Sequence, residues 1–189
     1  MYETKDYSRL LGLPGFTDLL LTDHFTLYEG YVKNVNLIGE LVKTVDPGSP
    51  QAAELRRRFG WEWNGMRLHE LYFENISKDH MTPDPATPLV DLIEKSFGSV
   101  EAWDKDFRSA GTTRGIGWVI LTYDSSDGRL FNTWINEHDG GHLAGTTPLI
   151  VMDVFEHAYI RDYGVRRADY VAAFMNAIDW RSVADRLRR

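Results

Sequence analysis

A proline-rich break at residues 81–88 constrains the fold more than any other feature, because the hydrophobic pattern changes across it. Three of its eight residues are proline. Proline lacks the amide hydrogen that helices and sheets require, and it disfavours helix in the residue before it. The break therefore predicts a boundary between an N-terminal domain, residues 1–82, and a C-terminal domain, residues 83–189.

The part of the chain before the break predicts a helical hairpin. Apolar side chains recur at steps of three and four in residues 17–45 and again in residues 51–76, which is the period of an amphipathic helix. The intervening sequence Asp-Pro-Gly-Ser-Pro at 46–50 ends one helix and turns the chain. Two long helices joined by a short turn are expected to pack antiparallel.

The part after the break predicts helices followed by a small sheet. Two shorter helical patterns lie at 89–97 and 100–111. Three β-rich runs follow at 117–123, 130–135 and 148–152, the first two joined by an Asp-Gly turn. Helix returns at 159–189. The predicted fold class is α+β: an N-terminal antiparallel helical hairpin followed by an α/β domain with a three-stranded antiparallel sheet.

Charge and composition exclude several classes of function. The net charge of −7 argues against sequence-independent binding of nucleic acid. The absence of cysteine excludes a disulfide framework and thiolate chemistry. The first residues do not resemble a signal peptide, and no apolar run reaches the ~18 residues of a membrane span. We therefore expect a cytoplasmic protein with neither a nucleic-acid nor a membrane partner.

A carboxylate and an imidazole, Asp153 and His157, lie four residues apart just after the third predicted strand. This pair suits one metal ion, and oxygen and nitrogen ligands without cysteine favour iron or manganese over structural zinc. His24 and His69 lie one in each helix of the predicted hairpin, where both can point inward. Three nitrogens and one oxygen would leave an open position for water or substrate.

Both kinds of candidate ligand have a structural alternative. A histidine on an apolar helix face is commonly a hydrogen-bonded core residue. An aspartate at the end of a strand commonly caps the next helix. Residue type and spacing alone leave these alternatives open.

The C-terminal part of the chain closely resembles the signature of the iron/manganese superoxide dismutases. The sequences DVFEHAY, RADY and MNAIDW, which begin at residues 153, 167 and 175, carry this resemblance. Landmarks at 31–36, 97–99 and 115–118 match in the same order, so the resemblance extends over nearly the whole chain. It implies an antioxidant oxidoreductase that converts superoxide to dioxygen and hydrogen peroxide by redox cycling of one iron or manganese ion per subunit.

The resemblance also implies roles for individual residues. The metal ligands would be His24, His69, Asp153 and His157. Tyr31 is similar to the tyrosine at the substrate entrance, and His138 to the histidine that hydrogen-bonds metal-bound solvent in some members. The pocket would be lined by Trp118, Phe73 and Phe155.

An oligomer is implied as well. Glu156 resembles the residue that reaches a ligand histidine of the partner subunit, and Tyr159 resembles its neighbour at that interface. Arg167 would help to order the interface. We therefore expect a homodimer or a homotetramer, between which the sequence does not decide.

Several positions depart from the family pattern. The ungapped position of the first ligand, eight residues before Tyr31, is Asp23, whereas His24 lies seven before it. We favour His24, with one residue deleted from a π-bulge, and keep Asp23 as the alternative. Leu27 and Tyr28 stand where the family has a histidine pair, so the effect of this entrance region on activity stays open.

Gly65 occupies the position from which iron-type members supply a glutamine, which is why His138 is assigned that role. The sequence leans to iron without deciding between iron and manganese. Because a fold does not fix its chemistry, the departures also keep open a different metal-dependent oxidoreductase on this scaffold, or a metal-free structural relative.

Overall fold

The computed structural model describes residues 1–79 and 81–188. Within these ranges the helices are α1 (Asp18–Leu41), α2 (Pro50–Glu74), α3 (Pro88–Phe97), α4 (Val100–Gly111), α5 (Ile160–Tyr163), α6 (Arg167–Ala177) and α7 (Trp180–Leu187). The strands are β1 (Trp118–Asp124), β2 (Arg129–Ile135) and β3 (Thr147–Asp153). Short 3₁₀ turns occur at Ser8–Leu10 and Glu156–Ala158. None of the helices described is both long and apolar enough to cross a membrane.

The hairpin of α1 and α2 forms as predicted, and side chains fix the start of each helix. Thr17 caps α1 by accepting a hydrogen bond from the amide of Leu20, and Ser49 caps α2 by accepting one from the amide of Ala52. Helix α1 is uninterrupted but ends at Leu41, four residues before the predicted end. The chain there enters a turn in which Thr44 donates its amide hydrogen to the Leu41 carbonyl.

The sheet is three-stranded and antiparallel, with the order β2-β1-β3. Gly128 has a φ of 60° in the turn between β1 and β2, a conformation that glycine adopts at little cost. In the central strand Trp118 pairs with Ile135 on one side and with Asp153 on the other. This register places the last residue of β3 directly beside the first residue of β1.

The two halves of the molecule join where α2 and α7 pack on β3. The Asn75 side-chain oxygen accepts a hydrogen bond of 2.8 Å from the Val151 amide. Buried Arg186 donates to the carbonyls of Leu149 and Leu71 at 2.8 and 2.7 Å. Buried apolar residues of both halves form one cluster. The α+β fold class is confirmed, whereas the division into domains 1–82 and 83–189 stays a prediction.

Candidate metal centre

Three histidines and one aspartate meet where the helical hairpin packs against the end of β3. His24 comes from α1, His69 from α2, Asp153 ends β3, and His157 lies in the turn that follows. One potential ligand atom of each lies within 4.8 Å of those of the others. The side chains of the first three are at most 1% exposed, whereas that of His157 is 30% exposed.

The carboxylate oxygen Oδ2 of Asp153 is the centre of this cluster. It lies 3.1 Å from Nε2 of His24, 3.6 Å from Nε2 of His69 and 3.0 Å from Nε2 of His157. Ligand atoms about 2.1 Å from one ion would lie about 3.0 Å apart at a right angle and about 3.6 Å apart at 120°. The observed separations therefore match those between ligands of a single ion.

His69 is held in the tautomer that a metal ligand needs. Its Nδ1 lies 2.5 Å from the Gly65 carbonyl oxygen, which can only accept, so Nδ1 carries the proton and Nε2 presents a lone pair. This Nε2 is buried and has no hydrogen-bond partner. Burial, aided by the nearby His24, lowers the pKa of His69 well below its ordinary value. A neutral, unpartnered nitrogen aimed at a carboxylate fits a metal ion between them.

The two carboxylate oxygens of Asp153 make different contacts. Burial acts to raise its pKa, but the neighbouring His157 and His24 outweigh burial and hold the pKa well below its usual range. Its Oδ1 accepts a hydrogen bond of 2.8 Å from the Phe155 amide. This is a local turn and not the helix cap considered from the sequence, since Phe155 is the cap residue of the 3₁₀ turn that follows. Oδ2 remains for the cluster, which therefore offers three imidazole nitrogens and one negative oxygen.

The structure places His24, and not Asp23, in the cluster. The His24 side chain is 1% exposed, and burial lowers the pKa of His24. The Asp23 side chain is 52% exposed and forms an ion pair of 2.5 Å with Arg161. The uninterrupted α1 accounts for the shift, because without a bulge a seven-residue step returns His24 to the helix face of Tyr31.

His138 bridges the sheet and the hairpin through both of its ring nitrogens. Trp118 donates its indole hydrogen to Nδ1 at 3.1 Å, and Nε2 lies 2.8 Å from the Tyr31 hydroxyl. An indole can only donate, so Nδ1 is unprotonated and Nε2 carries the proton. Burial lowers the pKa of His138 to about 4, which keeps the ring neutral. His138 therefore donates to Tyr31.

Tyr31 consequently has a hydroxyl hydrogen that is not committed to His138. Its ring stacks on His69 with the centroids 5.0 Å apart, so the Tyr31 side chain lies against a residue of the cluster. Burial raises the pKa of Tyr31, so the phenol keeps its proton at neutral pH. The geometry presents a protonated hydroxyl beside the candidate metal centre.

Aromatic rings surround the cluster at the predicted positions. The Trp118 ring lies 5.0 Å from that of His69, and the Phe73 ring lies 5.0 Å from that of His24. Phe155 stacks on His157 at 5.4 Å. These rings exclude water from most of the site, which strengthens the electrostatic interactions inside it.

In place of the histidine pair of the family pattern, the chain has residues that belong to a separate hydrogen-bond network. Tyr28 is fully buried and donates its hydroxyl to Glu70 at 3.0 Å, and Leu27 packs partly buried against the core. Burial raises the pKa of Tyr28 to about 12. His142 has a local role, because it donates a hydrogen bond of 2.8 Å to the His138 carbonyl.

The residues predicted at an interface take different positions. Glu156 is exposed beside His157. Tyr159 is buried at 8% exposure. Arg167 donates to the carbonyls of Gly111 and Gly115 at 2.7 and 2.6 Å, so it orders its own chain. The predicted oligomer stays a prediction.

Two residues at the site were missed from the sequence, Trp61 and Glu137. The Trp61 ring lies 4.5 Å from that of His138 and 5.6 Å from that of Tyr31, and its indole donates to Glu137 at 3.2 Å. Trp61 lies eight residues before His69, about two helical turns, so helix geometry could have found it. Glu137 directly precedes His138.

The fold and the cluster together are those of a metalloprotein, with a candidate centre of three histidines and one aspartate among the described residues. Residues 85–186 match the family described as iron/manganese superoxide dismutases, C-terminal domain. The chain is 39% identical over 180 residues to superoxide dismutase [Fe] of Cupriavidus metallidurans, covering 92% of this chain and 89% of the relative.

Two further relatives extend the comparison. Identity is 36% over 176 residues with superoxide dismutase [Mn] 2 of Haloferax volcanii, covering 92% of this chain and 87% of the relative. It is 32% over 169 residues with superoxide dismutase [Fe] of Saccharolobus solfataricus, covering 86% and 80%. The chain belongs to the iron/manganese superoxide dismutase family, as its sequence indicated.

Proposed function

We propose that this protein is a superoxide dismutase in which His24, His69, Asp153 and His157 hold one iron or manganese ion. The observation that carries the proposal is the convergence of three Nε2 atoms on Asp153 Oδ2, with His69 Nε2 buried and unpartnered. An imidazole and carboxylate donor set suits both metals. Relatives of both the iron and the manganese kind support this reading.

The reaction converts two superoxide ions and two protons to one dioxygen and one hydrogen peroxide. A bound iron or manganese ion would supply the electron exchange, by cycling between its trivalent and divalent states. The remaining tasks belong to the protein, which must admit a small anion, exclude bulk water and deliver protons.

Tyr31 is the proposed proton donor. Its hydroxyl accepts from His138 and holds its own hydrogen free for an anion at the cluster. Trp118 acts one step further back, because it fixes the tautomer of His138. The chain of donors from Trp118 through His138 to Tyr31 keeps the hydroxyl oriented, which is the usual requirement for efficient proton transfer.

Attraction of superoxide must overcome the net charge of −7. Arg58 is one cation near the site, and it lowers the pKa of both Tyr31 and His138, but at Tyr31 burial, Asp153 and Glu62 have larger effects in the opposite direction. Its side chain is 44% exposed. A metal ion held by the cluster would add positive charge at short range, where it outweighs a diffuse opposite charge.

We also propose a homodimer or homotetramer, located in the cytoplasm. Exposed Glu156 lies beside the one partly exposed ligand, and Ile160 and Val165 are 49% and 98% exposed on the same segment. Exposed apolar side chains on one short segment are consistent with an interface between subunits. Sedimentation velocity would test the oligomer, and a monomer at micromolar concentration would refute it.

The test of function is the rate of superoxide loss, followed directly for protein reconstituted with iron or with manganese and expressed per bound ion. We expect a second-order rate constant on the order of 10⁸ to 10⁹ per molar per second with one of the metals, with iron favoured. Stoichiometric metal binding without turnover would refute the proposal.

A further inference from the structure

Besides the hydrogen bond between His138 and Tyr31, a second side-chain hydrogen bond ties the loop after β2 to the helical hairpin next to the proposed metal centre. The Trp61 indole, on α2, donates to Oε2 of Glu137 at 3.2 Å across 76 residues of sequence. Glu137 immediately precedes His138, whose ring bonds to Tyr31. The bond therefore lies one residue away from the group that orients the proposed proton donor.

The backbone at Glu137 is strained. Its φ is 60°, and within the described residues it is the one position other than glycine with a positive φ. Glutamate is disfavoured in this region, whereas glycine and asparagine enter it more easily. A strained residue persists where the surrounding structure demands it. At this position the hydrogen bond to Trp61 accounts for the residue type, because a glutamate side chain is long enough to reach the indole.

Trp61 is itself held in place on the other side. The Arg58 guanidinium lies 4.0 Å from the centroid of its ring, and Arg58 is anchored at 2.8 Å by Glu62, which is buried. The rings of His138 and Tyr31 also lie near that of Trp61, with centroids 4.5 and 5.6 Å away. A tryptophan held by several such contacts can act as a rigid donor.

We propose that Trp61 and Glu137 are positioning residues for the reaction. Their hydrogen bond holds the loop of His138 against α2 and thereby keeps the His138 ring within bonding distance of Tyr31. The inference rests on the proposed dismutase function, but the position of the ring can also be probed with an anion that does not turn over.

Three substitutions distinguish the effect of losing the Trp61–Glu137 hydrogen bond from the effect of changing the size of the two side chains. Trp61→Phe keeps an aromatic ring and removes the donor. Glu137→Asn suits a positive φ but is too short to reach the indole, whereas Glu137→Gln keeps an acceptor at the same length. The matched control is Trp63→Phe, because Trp63 lies on the same helix, donates to the Tyr2 hydroxyl at 3.2 Å and carries Arg67 over its ring at 5.5 Å.

Two measurements are made on metal-loaded protein: kcat and KM for superoxide, and the Kd of azide as an anion probe. With Trp61→Phe and with Glu137→Asn we expect kcat to fall about three- to tenfold with little change in KM, because one hydrogen bond is lost. Azide should bind more weakly by a similar factor. Glu137→Gln and Trp63→Phe should stay within about twofold of the unchanged protein. Metal content should be equal in all.

The double variant Trp61→Phe/Glu137→Asn provides the sharpest check. Both changes remove the same bond, so the double variant should lose no more than either single one, whereas independent effects would multiply. Multiplying losses, an equal loss in Trp63→Phe, or unchanged kcat and azide affinity in both single variants would overturn the inference.

The failure of the proposed function would look different. Protein that binds metal but does not remove superoxide would refute the dismutase activity. The azide affinities would still test whether the Trp61–Glu137 hydrogen bond positions His138. If Trp61→Phe does not fold, the comparison of Glu137→Asn with Glu137→Gln still tests the inference, because Glu137 is partly exposed and its substitution should not prevent folding.

Discussion

Gly65 makes room for Tyr31, so the substitution Gly65→Ala tests how the entrance is built. A Cβ at this position would lie 2.6 Å from Cδ1 and 2.7 Å from Cε1 of the Tyr31 ring. Carbon atoms pack favourably at about 3.5 to 4.0 Å, so the ring must move by about 1 Å. The hydroxyl would then leave its position between His138 and the cluster.

Two opposing effects on stability can be estimated. Overpacking costs about 1 to 3 kcal/mol, and replacing glycine by alanine inside a helix returns about 1 kcal/mol. The free energy of unfolding should therefore fall by at most about 2 kcal/mol, or about 4 to 8 °C in Tm for a chain of this size. Activity should suffer more, by about tenfold to 100-fold, because misplacement by about 1 Å disrupts catalytic geometry.

Gly60→Ala is the matched control, since Gly60 lies on the same helix and a Cβ there would meet nothing within 4 Å. It should leave activity unchanged and raise Tm by about 2 to 4 °C. The measurements are superoxide loss per bound metal and thermal unfolding followed by circular dichroism. Full activity in Gly65→Ala, with a rise in Tm like that of Gly60→Ala, would refute the steric argument.

Two further predictions concern the ligands and the pH dependence. His24→Ala should lose most of its bound iron or manganese in elemental analysis, while Asp23→Asn, at an exposed ion pair, should retain it; the reverse result would make Asp23 the ligand. The metal-free protein should lose stability as the pH falls from about 6.5 to about 4, because the folded pKa of His138 is about 4 and an unfolded histidine, with a pKa near 6.5, binds more protons in that window. Burial of His24 and His69 acts in the same direction. Urea unfolding at pH 7.5 and pH 5 checks this, and equal free energies would contradict it.

Much of the fold was predictable because periodicity reports burial. The two long amphipathic patterns became α1 and α2, and the Asp-Gly step became the β1-β2 turn. The end of α1 was predicted four residues too late, since Val42 and Val45 continue the apolar pattern while the chain already turns. The spacing of apolar residues alone does not show whether such residues still belong to the helix or already belong to the turn after it.

The site was predictable where the spacing of residues along one helix or strand decides which way a side chain points. His24 and His69 could be placed on inward faces, and Asp153 at the end of a strand. The choice between Asp23 and His24 required the structure, because it depends on whether α1 contains a bulge. Trp61 and Glu137 meet across two elements, and a single sequence carries no signal for such a contact except helical spacing from His69.

The burial of the ligands has a consequence for how the protein acquires its metal. The cluster draws on α1, α2 and the end of β3, so it does not exist until the two halves of the chain have come together. In the folded chain His24, His69 and Asp153 are buried, and of the four candidate ligands only His157, whose side chain is 30% exposed, has access to water. Exchange of the ion then requires local opening of the fold. We therefore expect the ion that is present when the chain folds to be the one that each molecule retains, because exchange should be slow afterwards.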